Sequence, residues 1–187
     1  MECTVFLDPS HGGRDEGIKS GDLVEKDITL NIVEEMKRIL LKCGINVYSS
    51  RRSDEYISEE ERIAAAAKVN ADVIVSVECN SGGGDRGEIV YSNNKPGAFR
   101  IAKIMASQMI KVGQSSTKIF DRLDVDGRDY YRILRDTDAD AVIVKCAYLD
   151  NVKNRELIES KEKQIFYADF LALGVILYLE TLSIPHE

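Results

Sequence analysis

Apolar positions fall into short runs separated by amphipathic stretches, the pattern of strands alternating with helices. From Cys3 to Asp8 the chain is apolar and partly β-branched, and Pro9 stops it as a buried strand would stop. A loop with Gly12, Gly13, Gly17 and Gly21 follows. Ile32, Val33, Met36, Ile39, Leu40 and Cys43 then recur at helical spacing, with Asp27 as the predicted cap and Gly44 as the stop. Ile45 to Tyr48 predicts a second strand. Ser58 with Glu61 three residues on is a capping-box pattern opening an alanine-rich helix through Ala64 and Ala67. Asp72 to Cys79 is nearly unbroken Val and Ile, which predicts a strand buried on both faces.

Ser81 to Gly87 reads as a glycine-rich turn and Glu88 to Ser92 as an adjoining strand. Ala98 to Val112 carries Ala102, Met105, Met109 and Val112 on one helical face. Gln114 to Asp129 has no clear period and predicts a surface excursion. Ala141 to Tyr148 predicts another buried strand, and a last helix from about Glu162 to Thr181 is apolar on most sides. The whole pattern predicts one α/β domain over residues 1–187, a mainly parallel twisted sheet with helices on both faces. No repeat, low-complexity tract or linker interrupts it.

Composition narrows the partners. The 187 residues suffice for one sizeable core, and 44% hydrophobic with 30% charged residues is ordinary for a globular domain. Lys and Arg total 25 against 32 Asp and Glu, a net charge of −7, so neither nucleic acid nor a membrane surface is an expected partner. No apolar run reads as reaching the roughly 20 residues of a bilayer span. Because Met1 runs straight into a strand-like segment, no signal peptide is expected and synthesis is read as cytoplasmic. Cys3, Cys43, Cys79 and Cys146 show no CxxC spacing and read as reduced and mostly buried.

Sites in such sheets form beyond the carboxyl ends of the strands. That rule selects the loop after Asp8, the segment Glu78 to Asn80, and the neighbourhood of Lys145. His11, in Asp8-Pro9-Ser10-His11-Gly12-Gly13, reads by itself as a loop histidine bonded to backbone. Glu25 by itself reads as a first-turn acid favoured by the helix dipole. The turn at Ser81 to Gly87 lacks the Lys-Ser/Thr of a phosphate-binding loop, and no helix follows it directly. Cys79 and Cys146 each follow a site position, so strand alternation turns them toward the core.

Taken in order, these segments carry a resemblance. Asp-Pro-x-His-Gly-Gly, then Glu25-Lys26-Asp27 opening a helix, is similar to the zinc-dependent N-acetylmuramoyl-L-alanine amidases. Arg51, Arg52, Asp54 and Arg62 continue the similarity, followed by Ser76-Val77-Glu78-Cys79-Asn80, Gly87, and Ala141 to Asn151. It covers nearly the whole chain. The resemblance implies a zinc ion held by the first-loop histidine, the glutamate before the first helix and a histidine on the third strand. A glutamate on the last strand is the family's general base, and the substrate is the bond between N-acetylmuramic acid and L-alanine in peptidoglycan.

Carried over by position, His11 and Glu25 are the implied metal ligands. Glu78 stands at the third metal-ligand position, where the family has histidine, and Lys145 at the general-base position, where the family has glutamate. Ser10 replaces a family glycine, and His186, in the C-terminal tail, is a poor substitute ligand. A His/Glu/Glu set suits zinc less well and crowds two negative charges. An ammonium at the base position has no lone pair to accept a proton. The two departures read as a pair, with Lys145 expected in the metal's place, forming an ion pair with Glu78 or Glu25 or with both and so neutralising the acids. Opposite charges at about 4 Å attract by about 4 kcal/mol at an effective dielectric near 20, before desolvation. The resemblance therefore implies a domain that acts on or recognises peptidoglycan or a muropeptide, with hydrolysis impaired and Zn2+ as the family cofactor. The alternative is an inactive binding or regulatory module that keeps the fold without metal. A lytic module of this kind would work at the cell wall.

Overall fold

The computed structural model describes residues 3–183. In chain order, β1 (Thr4–Pro9) leads through a small hairpin, β2 (Lys19–Ser20) and β3 (Leu23–Val24), into α1 (Glu25–Lys42). Next come β4 (Asn46–Ser49), α2 (Glu59–Lys68), β5 (Val73–Asn80), β6 (Gly87–Tyr91) and α3 (Pro96–Lys111). Then follow β7 (Thr117–Phe120), α4 (Arg132–Arg135), β8 (Asp140–Tyr148), α5 (Val152–Arg155) and α6 (Lys161–Ser183). The main sheet has the order β4-β1-β5-β8-β6-β7. Every neighbouring pair is parallel except β6 with β8. The fold class is the expected one.

Strand alternation divides the core into two layers. Val5 and Leu7 of β1, Val75 and Val77 of β5, and Val142 and Val144 of β8 join Val33, Met36, Met105 and Leu171 from α1, α3 and α6. Phe6, Ile74 and Ile143 point the other way, toward Ala66 of α2 and Leu134 of α4. Burial on both faces explains why β5 and β8 are nearly unbroken apolar runs up to Val77 and from Ala141 to Val144 in the sequence.

Four expectations need correction. Helix α1 starts at Glu25, two residues before Asp27; no side chain caps it, and both acids lie in its first turn against the positive dipole end. The stretch read as irregular contains β7, which pairs with β6 at the edge of the sheet. Cys43 is exposed, while Cys79 and Cys146 are buried as expected. Finally, α6 is long and apolar enough to cross a bilayer by length and composition, contrary to the reading of the runs. In the fold it packs against both α1 and α3, with Tyr167, Leu171 and Tyr178 buried.

Candidate functional site

The carboxyl ends of β1, β5 and β8 meet at a cleft of about 270 Å³ whose lining includes His11, Glu78, Arg62 and Tyr131. Two buried arginines build its first loop. Arg51 donates to the carbonyls of Pro9, Ser10 and Lys26. Arg62 donates to Asp8 Oδ1 at 2.6 Å and to the carbonyls of Pro9 and His11. Asp54 accepts from the Gly13 N–H and from Lys26 Nζ. Three of the four signature residues Arg51, Arg52, Asp54 and Arg62 thus satisfy backbone and charge in a turn whose own backbone pairing is the bridge between Gly12 and Asp15. The turn is tight enough to hold His11 at φ 59°, a left-handed conformation uncommon for a side-chain-bearing residue. Gly17 lets the chain pass over it: at φ +67°, a Cβ there would come within 2.6 Å of Glu25 Oε2 and 2.7 Å of the His11 ring.

His11 and Glu25 come together. Nε2 of His11 is 3.2 Å from Glu25 Oε2, and Nδ1 is 2.9 Å from Asp15 Oδ1. Burial disfavours the imidazolium, but Glu25 and Asp15 outweigh it and raise the His11 pKa to about 9. Glu25 is buried and is also held by backbone: Oε2 accepts from the Ile18 N–H at 2.8 Å and Oε1 from the Cys79 N–H at 2.6 Å.

Glu78 and Lys145 form the other half of the site. They are register partners across β5 and β8, and Lys145 Nζ lies 2.5 Å from Glu78 Oε2. Their side chains are only 14% and 21% exposed, so Lys145 does not simply point into solvent. Burial pulls the Lys145 pKa down, yet the Glu78 carboxylate, with help from Tyr131 and Glu25, holds it above its usual 10.5. The sequence leaves Lys145 free to pair with Glu78, with Glu25 or with both. It makes its ion pair with Glu78, whereas Glu25 is held by His11 and backbone N–H groups. Among the described residues no three His, Cys, Asp or Glu side chains gather as a metal-holding group. His186 lies outside the described residues.

The surroundings add residues that sequence reasoning missed. Asp15 orients the His11 ring, and its only sequence signal is its place four residues on in the same glycine loop. Tyr131 places its ring 5.6 Å from Lys145 Nζ. Glu88, buried and in register with Lys145 on β6, accepts from Tyr148, Arg86 and Asn80. The glycine turn holds no phosphate cradle of its own, since the Gly82 and Gly83 N–H groups donate to Asp150. Ser10 is buried with its Oγ unpartnered among the described residues, and nothing in the structure explains that hydroxyl.

Comparison with known proteins agrees with this architecture. Residues 5–176 match the protein family described as N-acetylmuramoyl-L-alanine amidase. The uncharacterised YqiI protein of Bacillus subtilis is 30% identical over 181 residues, which are 95% of this chain and 85% of YqiI. The N-acetylmuramoyl-L-alanine amidase CwlM of Bacillus licheniformis is 30% identical over 165 residues, 83% of this chain but only 60% of CwlM. The crystal structure of N-acetylmuramoyl-L-alanine amidase from Clostridium difficile 630 superposes with a TM-score of 0.85 at 29% identity, covering 95% of this chain and 97% of that one.

Proposed function

Because the chain belongs to the N-acetylmuramoyl-L-alanine amidase family, we propose that it is an amidase-like domain directed at bacterial cell-wall peptidoglycan, with its hydrolytic step impaired. The observation that carries this is the contact of 2.5 Å between Lys145 Nζ and Glu78 Oε2. A bound zinc would supply a Lewis acid and an activated water. The donor set does not fit it. Glu78, at the third ligand position, is engaged by an ammonium, and Glu25 already accepts two backbone N–H groups. At the general-base position the raised pKa of Lys145 keeps the ammonium form, which has no lone pair to take a proton and repels a dication.

A second reading is a binding or regulatory module without hydrolysis. It is favoured by Glu25, whose contacts tie β5 to the first loop and α1, a structural duty that survives without metal. Metal analysis and muropeptide assays on purified protein separate the cases. We expect less than stoichiometric zinc, and hydrolysis lower than that of an intact family member by a factor of about 10² to 10⁴. Stoichiometric zinc with comparable turnover would overturn the reading of the site. Muropeptide binding that persists in a chelator, without cleavage, would select the binding module.

A further inference from the structure

Helix α6 buries Tyr167, Ala168, Leu171, Ala172, Val175 and Tyr178 on the side facing the domain. Its outer side is apolar too. Phe166, Phe170, Leu173 and Leu177 follow one another at helical spacing, with Phe166 54% and Leu173 40% exposed and the other two half-buried. The Phe166 and Phe170 rings stack edge to face on the surface, their centroids 5.2 Å apart. Single exposed apolar residues are normal, but two exposed and two half-buried ones on one helical face, two of the four aromatic, mark a contact surface.

The order of residues along this stripe is self-complementary. Phe170 and Leu173 stand equally far on either side of the midpoint between Leu171 and Ala172, and so do Phe166 and Leu177. Lys163 and Glu180, both exposed, are placed about the same midpoint farther out. A two-fold axis through that point, relating antiparallel copies of α6, sets each ring at the level of the other copy's leucine. It also sets each Lys163 at the level of the other copy's Glu180. A parallel arrangement would bring like charges to the same level at both ends. In the single chain Lys163 meets Glu159 at 2.7 Å, an exposed pair that is easily exchanged. Asp169, the one charge inside the stretch, lies beside the stripe, where Arg38 of α1 acts on it.

We propose that α6 is the contact face of a two-fold homodimer, its occupant being α6 of a second copy. One helix per side is a small interface, so the association is weak and concentration-dependent. Sedimentation velocity on the full chain over a wide concentration range tests it. The expected result is a shift from monomer to dimer with concentration. Phe170→Glu, which brings two carboxylates near the axis, should weaken association at least about tenfold while the circular dichroism stays unchanged. Lys163→Glu should also weaken it, and adding Glu180→Lys should restore it. A monomer at every concentration, a dimer indifferent to Phe170→Glu, or a double reversal that restores nothing would each overturn the proposal. So would a monomeric parent that binds phosphatidylcholine vesicles through Phe166 and Phe170, which would assign the stripe to a membrane.

Discussion

Glu78 and Lys145 face each other in register across β5 and β8, Nζ to Oε2 at 2.5 Å. Val77 opposite Val144, and Ile74 opposite Ala141, fix that register through burial. A one-residue slip would turn both apolar sets to the wrong faces. The two side chains therefore share one small space, where their opposite charges offset each other. The departure at one position constrains the other.

Removing the lysine alone tests that coupling. Lys145→Met leaves Glu78 beside the Glu25 site with no counter-charge. An exposed pair is worth about 0 to 1 kcal/mol, and breaking a buried one costs about 3 to 5. With side chains 14% and 21% exposed, the expected loss is about 1 to 3 kcal/mol. Urea denaturation of Lys145→Met, Glu78→Met and the double variant measures it. The double variant should be clearly more stable than the sum of the two losses implies. Strict additivity would show that the pair contributes nothing as a pair.

Zinc affinity tests the proposed exchange of metal for ammonium. Glu78→His alone keeps the Lys145 ammonium at the site, and Lys145→Glu alone sets a new carboxylate beside Glu78. Made together, they recreate the donor types that the family resemblance implies around His11 and Glu25. Calorimetry should find zinc binding by the double variant at least about tenfold tighter, or 1.4 kcal/mol, than by either single variant or the parent. Tight binding by the parent would remove the reason for reading Lys145 as a metal substitute.

Much of this arrangement is legible in the sequence, for reasons that differ from part to part. β5 and β8 are read easily because burial on both faces leaves mostly apolar residues, as in Val73 to Val75 and Ala141 to Val144. β7 is missed because Thr117-Lys118-Ile119-Phe120 is a short edge strand, half-exposed, with no buried run to announce it. The positions of His11, Glu25, Glu78 and Lys145 follow from the order of motifs. What holds them does not. Glu25 is fixed by the N–H groups of Ile18 and Cys79, and Arg51 by four carbonyls, contacts that depend on backbone and leave no residue signature. Arg62 is legible only through the resemblance, since its partner Asp8 lies 54 residues away. The choice of Lys145 between two acids is likewise a matter of geometry.

That choice rests partly on Glu88. It is in register with Lys145 from the β6 side, so the ammonium stands between two acid-bearing strands. Glu88 is already served: Tyr148 Oη donates to it at 2.7 Å, Arg86 Nε at 2.7 Å and Asn80 Nδ2 at 3.0 Å. Burial opposes its ionisation, but Tyr148 and Arg86 outweigh that and hold its carboxyl below the usual 4.5. A depressed folded pKa contributes stability that is present above pH 4.5 and is lost as pH falls through the folded value. Glu88→Gln keeps the shape and removes the charge, so it should be less stable than the parent near neutrality by about 1.5 to 3 kcal/mol, the scale of hydrogen bonds to a charged group. That gap should close as the parent is titrated below pH 4.5. Urea midpoints for both proteins at several pH values measure it. A gap that stays constant into acid would mean that Glu88 acts through shape alone, and that something other than its pairing with Arg86 leaves Lys145 to Glu78.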